Sequence, residues 1–322
     1  MQIFNGFKKT NRKKLGEQMI DRACISITSK CQLRCTYCHF DKHISKTSCG
    51  DITAENLEVI LKNILLYARN NELKAFKVGL VGAGEPLLRF DLIQIAIGFS
   101  MENDSEHILQ FYTISNGVGV NEEILLWFYE HKDTIKLSFS LDGNESIQDS
   151  CRKFPNGKGT YFFVMKNIKS YKKIFGVVPS VNTTVHKKSI ENEEELLTYF
   201  EQTFSEVCFS RLVDEASPDL YISKSDFNSF IERAGKTTLS LRQLRKTPKY
   251  DCTMYGQLCG VGRTNIFYAN GKVYPCGRFI GMKEYELGNE TDSLETIYKS
   301  MLRFTPVKDG KCYFDEIQGG KE

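Results

Sequence analysis

The 322-residue sequence has little tryptophan, little proline and almost no excess of charge of either sign. It contains one tryptophan, seven prolines and 41% hydrophobic residues, with no low-complexity segment and no internal repeat. This composition excludes an intrinsically disordered chain and is sufficient for a sizeable core. The 43 basic and 40 acidic residues give a net charge of +3, which by itself does not indicate a nucleic-acid-binding protein.

Long hydrophobic runs are also missing. No run of 18 apolar residues occurs and the mean hydropathy is −0.33, which excludes a membrane-spanning helix. The first 20 residues are basic, but they lack the apolar core of a secretory signal. We therefore expect a cytoplasmic protein with no membrane or nucleic-acid partner. Its eleven cysteines then favour metal ligands or reactive thiols over disulfides.

The pattern of apolar residues predicts alternating strands and helices. Six strand-like segments, each followed by a helical one or by a turn, favour parallel βα units. Six units are fewer than the eight of a closed barrel, so the pattern alone fits a partial barrel and an open sheet equally well. The predicted strands are 21–28, 76–81, 107–115, 135–141, 178–185 and 206–213, and the predicted helices are 53–69, 91–100, 122–131, 161–175 and 191–204.

The character of the sequence changes near residue 214. A basic stretch precedes two strand-like segments that flank Asn270-Gly271, which is a strong hairpin signal. The predicted organisation is a basic arm over 1–20, an α/β domain over 21–214 and a small second domain over 215–322.

Three cysteines follow the first predicted strand in a C-x3-C-x2-C pattern, at Cys31, Cys35 and Cys38. Structural zinc is the competing interpretation, but it usually takes four ligands with paired C-x2-C spacing. A loop with three thiolates instead suits a [4Fe–4S] cluster in which one iron is left free for a further ligand.

Two segments near this loop resemble the radical S-adenosylmethionine (SAM) enzymes. One is SITSKCQLRCTYCHF, with Tyr37 just before the third cysteine. The other is GAGEP at 82–86, which resembles the G-G-E-P segment of that family with Ala83 in place of the first glycine. The resemblance implies that Tyr37, Ala83, Gly84 and Glu85 help to bind SAM. Gly84 would allow a close backbone approach, and Glu85 would accept a hydrogen bond from an ammonium group.

Further along, S-L-D-G at 140–143 and Arg152 resemble a stretch of the peptide-modifying and sulfatase-maturing members of that family. The resemblance implies that Ser140 hydrogen-bonds the amino-acid end of SAM and that Arg152 pairs with its carboxylate. Asn116, in an Asn-Gly turn after the third strand, is another candidate SAM contact, and a plain turn residue is the alternative. Cys151 is a candidate catalytic hydrogen-atom donor to a substrate radical, and a passive thiol is the alternative.

A second set of cysteines lies in the C-terminal region. The segment CGVGRTNIFYANGKVYPCG, which ends at Gly277, resembles the start of the auxiliary-cluster domain called SPASM. The resemblance implies an auxiliary [4Fe–4S] cluster, and a structural zinc on the same cysteines is the alternative. A C-x2-C-x5-C-x3-C run found in full SPASM domains is missing, so the region is closer to the shortened twitch domain. The implied ligands are Cys252, Cys259 and Cys276, with Cys312, the only later cysteine, as the natural fourth. The alternative is that Cys312 is not a ligand, which would leave one iron of the auxiliary cluster open to substrate.

Together these resemblances imply an α/β fold made of a partial (β/α)6 barrel with a small C-terminal auxiliary iron–sulfur domain. They imply an enzyme that cleaves SAM reductively and abstracts a hydrogen atom from a peptide or protein, leading to a crosslink, an oxidation or an epimerisation. The implied cofactors are SAM, the [4Fe–4S] cluster that binds it and one auxiliary [4Fe–4S] cluster. The implied partners are a ribosomally made peptide or protein substrate and a reductant such as flavodoxin or ferredoxin. A leader peptide would be recognised either by a separate leader-binding protein or directly in the mouth of the barrel.

Three alternatives stay open at this point. The first is a twitch-type dehydrogenase or epimerase of a small molecule, and the second is an enzyme like the anaerobic sulfatase maturases. Those maturases usually carry an aspartate after the cysteine of the G-x4-C element, where this chain has Gly277. The third is a non-catalytic iron–sulfur or zinc protein, against which Glu85, Ser140 and Arg152 argue.

Overall fold

The computed structural model describes residues 19–38, 40, 51–212, 217–241, 260–262, 264–305 and 312–317. The strands are β1 (Arg22–Ile25), β2 (Phe76–Leu80), β3 (Leu109–Ser115), β4 (Ile135–Ser140), β5 (Val181–Val185), β6 (Glu206–Arg211), β7 (Ser240–Leu241), β8 (Asn265–Ala269), β9 (Lys272–Tyr274) and β10 (Gly288–Asn289). The helices are α1 (Ala54–Asn70), α2 (Phe90–Asn103), α3 (Glu122–Glu130), α4 (Glu145–Cys151), α5 (Tyr161–Phe175), α6 (Lys187–Glu191), α7 (Glu193–Thr203), α8 (Lys224–Ala234), α9 (Leu294–Met301) and α10 (Tyr313–Ile317).

Several helices begin where the sequence offers a capping side chain. Thr53 accepts a hydrogen bond from the backbone N–H of Asn56 at the start of α1. Asn121 and Asn144 cap α3 and α4 in the same way. Such a side chain satisfies one of the free N–H groups of the first turn and so fixes where the helix starts.

The described strands form one sheet in the order β10-β9-β8-β1-β2-β3-β4-β5-β6-β7. Neighbouring strands from β1 to β7 all pair in parallel. Within the described residues the sheet keeps two separate edges, so the βα units do not close into a full barrel. The six predicted parallel units are confirmed.

The predicted hairpin extends this sheet. Asn270 and Gly271 have φ values of +57° and +74°, as the type I′ turn between β8 and β9 requires. β8 pairs in parallel with β1, with Tyr268 opposite Ile25. The C-terminal region therefore joins the barrel along the strand that leads into the cysteine loop. The expected domain boundary near residue 214 lies outside the described residues and stays a prediction.

The two faces of the sheet differ in polarity. On the outer face, Phe139 of β4 packs against Tyr171 of α5 with 5.9 Å between ring centres. Phe209 of β6 lies against rings of α7 and α8 at 5.6 and 4.9 Å. Side chains alternate between faces along a strand, so the adjacent positions face the barrel interior. These inward positions carry small or polar side chains: Ser138, Ser140, Asn182, Thr184, Cys208 and Ser210.

Helix α4 is absent from the predicted elements. Its seven residues, ESIQDSC, contain too few apolar positions to reveal a helical period. The capping residue Asn144 is the one sequence feature that indicates a helix here. The other predicted helices match to within a few residues. In the described part of the chain, no helix is both long and apolar enough to cross a membrane.

Candidate active site

The cysteine loop leaves the C-terminal end of β1 and is held in place by the segment that follows α4. The backbone N–H of Arg34 donates to the carbonyl of Lys153 at 2.7 Å. Two residues on, the N–H of Thr36 donates to the carbonyl of Cys151 at 3.0 Å. Because these bonds alternate along both segments, the residues around Cys151 act as a backbone brace for the loop that carries Cys35.

The GAGEP segment packs directly against the start of the loop. The N–H of Glu85 donates to the carbonyl of Lys30 at 2.8 Å, and the N–H of Ala83 donates to Ser26 Oγ at 3.1 Å. A Cβ on Gly84 would lie 2.3 Å from the Lys30 oxygen, which is closer than any side chain tolerates. Gly84 is therefore required by the approach of two backbone segments.

Glu85 is buried, with 3% of its surface exposed, and joins GAGEP to the turn after β3. Its Oε1 accepts from the N–H of Leu87 at 3.1 Å and its Oε2 from the N–H of Asn116 at 2.7 Å. Burial raises the pKa of Glu85, although these hydrogen bonds oppose the shift. The side-chain amide of Asn116 in turn lies 3.7 Å from the sulfur of Cys31, so the Asn-Gly turn reaches the cysteine loop.

A buried ion pair lies behind Cys35. Asp142, which follows β4, is fully buried, and its Oδ2 accepts from Arg152 Nε at 2.9 Å and from the hydroxyl of Tyr37. Its Oδ1 accepts from the N–H of Thr184 at 3.0 Å. The Arg152 guanidinium also lies over the Tyr37 ring at 5.6 Å. Asp142 thus ties the aromatic residue of the cysteine loop to the ends of two barrel strands.

The Asp142–Arg152 pair also affects the charge state of the cysteine loop. Burial raises the pKa of Cys35 to about 12, Arg152 opposes this shift, and Cys38, Asp142 and Cys31 add to it. Burial alone would lower the pKa of Arg152, but Asp142 raises it well above its ordinary value. Arg152 is therefore a permanent positive charge beside Cys35.

Arg152 still has hydrogen-bonding capacity. Only its Nε bonds to Asp142, and its two terminal nitrogens have no hydrogen-bond partner among residues that the structure describes. Ser140 lies half-buried at the end of β4, opposite Asn182 of β5. The Asn182 side-chain nitrogen is buried without a partner in the described residues. The candidate SAM-binding positions on β4 therefore border unsatisfied polar groups, whereas Glu85 already accepts two backbone hydrogen bonds.

The sequence interpretation missed two residues here, Asp142 and His186. Asp142 lies within the S-L-D-G motif, where its spacing from Ser140 was a usable signal. His186 follows β5, is fully buried, and lies 5.9 Å from the Tyr37 ring, centre to centre. Neither of its ring nitrogens has a hydrogen-bond partner in the described chain, and burial lowers its pKa, so the imidazole is neutral near pH 7. A single histidine after a predicted strand gives no sign in the sequence that its ring will be buried beside Tyr37.

Cys151 is 1% exposed and packs with Tyr37 and Leu212. Its sulfur lies 3.3 Å from the hydroxyl of Ser150, and Cys35 and Leu220 border the same small cluster. This environment suits a buried apolar thiol. Its role as a hydrogen-atom donor stays a prediction.

In the C-terminal region, Cys276 and Cys312 lie within the described residues, whereas Cys252 and Cys259 lie outside them. Cys276 precedes the short 3-10 helix Gly277–Phe279. Within that helix, the buried Arg278 donates from its guanidinium to the Cys312 sulfur at 3.6 Å. The fold thus brings Cys312 to the turn that follows Cys276, while ligation by all four cysteines stays a prediction.

Comparison with known proteins places the chain in a family. It matches the Radical SAM superfamily over residues 25–200, which is more than half of its length. The chain therefore belongs to the Radical SAM superfamily. It is 27% identical over 301 residues to an uncharacterized protein of Methanocaldococcus jannaschii, covering 91% of this chain and 94% of that protein. It is also 27% identical over 291 residues to a cysteine-type anaerobic sulfatase-maturating enzyme of Clostridium novyi, covering 81% and 74%.

Solved structures share the fold. Native anSMEcpe with bound AdoMet superposes with a TM-score of 0.73 at 19% identity, covering 88% of this chain and 82% of that one. Streptococcus suis SuiB bound to precursor peptide SuiA gives 0.67 at 16% identity, covering 94% and 73%. The resemblance to the radical SAM enzymes that the sequence motifs indicated is confirmed.

The cysteine loop suits the [4Fe–4S] cluster and SAM that this superfamily uses. Cys31, Cys35 and Cys38 carry reduced thiols on one loop. Besides burial, the charge of Cys38 raises the pKa of both Cys31 and Cys35, and that of Cys31 also raises the pKa of Cys35. Metal binding deprotonates such thiols and removes this repulsion. Within the described ranges, no three His, Cys, Asp or Glu side chains converge on a point for a single ion. A four-iron cluster instead holds its cysteines at separate irons.

Proposed function

We propose that this protein is a radical SAM enzyme that abstracts a hydrogen atom from a peptide or protein substrate. The observation that carries the proposal is the buried group behind Cys35, where Arg152 keeps two free guanidinium nitrogens beside the cysteine loop. A fixed cation with open donors next to a three-thiolate loop is suited to a ligand that carries a carboxylate, as SAM does.

The residues divide the work as follows. Cys31, Cys35 and Cys38 hold the cluster, which when bound with SAM supplies one electron for cleavage of the S–C5′ bond and so a 5′-deoxyadenosyl radical. Arg152 pairs with the SAM carboxylate, and Ser140 hydrogen-bonds the amino-acid end.

The remaining site residues position these groups. The backbone of 83–85 shapes the SAM site, and the Glu85 carboxylate ties it to the N–H of Asn116 by a hydrogen bond. Tyr37 fixes the cysteine loop through its hydrogen bond to Asp142. The polar inner face of the barrel then receives the substrate.

The relatives support a peptide or protein as substrate. One is a sulfatase-maturating enzyme, and two of the fold neighbours are SuiB bound to a precursor peptide and anSMEcpe with a bound peptide. We place an auxiliary [4Fe–4S] cluster on Cys252, Cys259, Cys276 and Cys312. A second cluster can accept the electron that a substrate radical releases, which favours an oxidation or a crosslink over an epimerisation.

Sulfatase maturation is less well supported because of Gly277. In place of this residue the maturases usually carry an aspartate, and a Cβ on Gly277 would lie 2.8 Å from the ring of Phe267. An acidic side chain at this position would have to displace a buried aromatic ring. Position 277 therefore offers neither this base nor the space for it.

The substrate class can be tested with size-fractionated extract of the source cells. We expect 5′-deoxyadenosine formation by the anaerobic enzyme to rise with the fraction that contains peptides and proteins. Treatment of this fraction with protease, followed by protease inactivation, should abolish the rise. Stimulation by the small-molecule fraction that survives protease would instead favour a twitch-type enzyme acting on a small molecule.

A further inference from the structure

An exposed aromatic surface lies near the cysteine loop. At the start of α5, Phe162 is 70% exposed and Phe163 is 43% exposed. Their rings meet edge to face at 5.6 Å between centres, and Phe163 meets Phe154 in the same way at 5.4 Å. Two adjacent exposed rings beside the half-buried ring of Phe154 form an apolar patch, and such a patch indicates an interaction site.

The exposed side of α5 continues as a basic stripe. The helix contains four exposed lysines, at 166, 169, 172 and 173, and no acidic residue. Phe162, Lys166, Lys169 and Lys173 follow one another at spacings of four, three and four residues, which places them on one helix face. None of the four ammonium groups has an ion pair or a hydrogen bond with any residue in the described ranges. Their charge is therefore available to an acidic partner.

This surface is continuous with the cysteine loop. Lys153 directly precedes Phe154, and its carbonyl accepts from the N–H of Arg34 at 2.7 Å. The exposed Arg34 donates from its guanidinium to the carbonyls of Cys31 at 2.9 Å and Leu33 at 2.7 Å. A positive charge thus lies on the loop itself, with the aromatic rings beside it.

We propose that the α5 patch, defined as Phe154, Phe162, Phe163, Lys166 and Lys169, docks an acidic one-electron carrier protein that reduces the cluster. The proposal rests on the proposed function, because it requires a cluster on the neighbouring loop. In the transfer the carrier loses one electron and the cluster gains it, and no bond to the carrier forms or breaks.

The chemistry of the patch fits such a carrier. Electron transfer between proteins needs a short distance, and the patch lies beside the loop that would hold the cluster. Lysines that have no internal partner steer an acidic protein and set its orientation. Exposed phenylalanine rings supply the apolar contact that anchors an interface. A substrate peptide is a different class of partner, and the test separates the two.

The test compares two reductants on the Lys166→Glu/Lys169→Glu variant. One is dithionite, and the other is a bacterial flavodoxin reduced by its NADPH-dependent reductase. We expect the dithionite-driven rate of 5′-deoxyadenosine formation to stay within twofold of the wild type and the flavodoxin-driven rate to fall at least tenfold. Binding of oxidised flavodoxin, measured by titration calorimetry, should weaken by a similar factor. In the wild type, both flavodoxin readouts should decline as salt is raised.

A matched control reverses two exposed lysines elsewhere, Lys62→Glu/Lys74→Glu. This control has the same net charge as Lys166→Glu/Lys169→Glu. It should keep the dithionite-driven rate, the flavodoxin-driven rate and the affinity for flavodoxin of the wild type. Phe162→Ser should lower the flavodoxin-driven rate without a change in net charge.

Four results would overturn the proposal. The first is an unchanged flavodoxin-driven rate in Lys166→Glu/Lys169→Glu, and the second is an equal loss of rate with flavodoxin and with dithionite in that variant. The third is a wild type that accepts electrons from neither flavodoxin nor an acidic ferredoxin. The fourth is weakened peptide binding with normal flavodoxin-driven 5′-deoxyadenosine formation, which would assign the patch to the substrate. A wild type that forms no 5′-deoxyadenosine with dithionite would contradict the proposed function instead. Flavodoxin binding to the patch is measured by calorimetry, so it is tested independently of SAM cleavage.

Discussion

Replacing Arg152 with lysine separates the two tasks that its guanidinium is proposed to perform. In the folded protein Nε pairs with Asp142 at 2.9 Å, while the terminal nitrogens have no hydrogen-bond partner among the described residues. A lysine ammonium is one point charge without the planar fork, so it cannot serve the buried carboxylate and a ligand carboxylate in the same geometry. We expect Arg152→Lys to fold and bind its first cluster but to lose affinity for SAM.

The size of the expected loss in SAM binding follows from the burial of the Arg152–Asp142 pair. The Asp142 side chain is fully buried and that of Arg152 is 12% exposed. Removing one partner of a pair desolvated to this degree costs roughly 3–5 kcal/mol of folding stability, which makes Arg152→Ala hard to interpret. With lysine the charge of Asp142 stays paired. Loss of a desolvated contact with the SAM carboxylate costs roughly 2–5 kcal/mol of binding, so the dissociation constant should rise at least about 30-fold.

The assay is titration calorimetry of SAM into anaerobically reconstituted protein, with iron content and the urea unfolding midpoint measured on the same samples. Arg69→Lys is the control, because Arg69 pairs with Glu106 at 3.3 Å where both side chains are exposed, 41% and 63%. Exposed pairs contribute little, so this variant should bind SAM normally. A SAM dissociation constant within twofold of the wild type in iron-loaded Arg152→Lys would refute the assignment of Arg152.

Three further variants probe other parts of the site. Gly84→Ala places a Cβ 2.3 Å from the Lys30 carbonyl, so the loop must shift and the iron bound to it should fall, as measured by iron analysis and electron paramagnetic resonance. Burial raises the folded-state pKa of Glu85, so the stability that its protonated form contributes is lost as pH rises through that pKa. The unfolding free energy of the wild type minus that of Glu85→Gln, from urea titrations, should therefore increase from pH 7 to pH 5, and a decrease would contradict this. Cys151→Ala should still cleave SAM and form a product that contains no solvent deuterium in D2O. Deuterium in the wild-type product, together with a variant that releases 5′-deoxyadenosine but no product, would instead make Cys151 the hydrogen-atom donor of an epimerase.

Short-range features of the site could be predicted because they are written in consecutive residues. The cysteine spacing and the GAGEP segment each lie in one stretch of chain. The Asn270-Gly271 turn could be predicted for a similar reason, because both residues adopt the positive φ that its type requires.

Features that depend on distant residues could not be predicted. Tyr37 and Asp142 are 105 positions apart, and their hydrogen bond exists only because β4 ends beside the cysteine loop. The pairing of β8 with β1 joins residues even farther apart in the chain. Burial of His186 without a hydrogen-bond partner in the described chain is likewise a product of packing that a single histidine does not signal.

The most direct test of the central claim is SAM cleavage by the reconstituted protein. With dithionite, the wild type should bind about eight irons per chain and form 5′-deoxyadenosine and methionine in equal amounts. The Cys31→Ala/Cys35→Ala/Cys38→Ala variant should keep about four irons, on the auxiliary cysteines, and form no 5′-deoxyadenosine. The account is contradicted if the fully loaded wild type forms no 5′-deoxyadenosine, or if the triple variant forms as much as the wild type does.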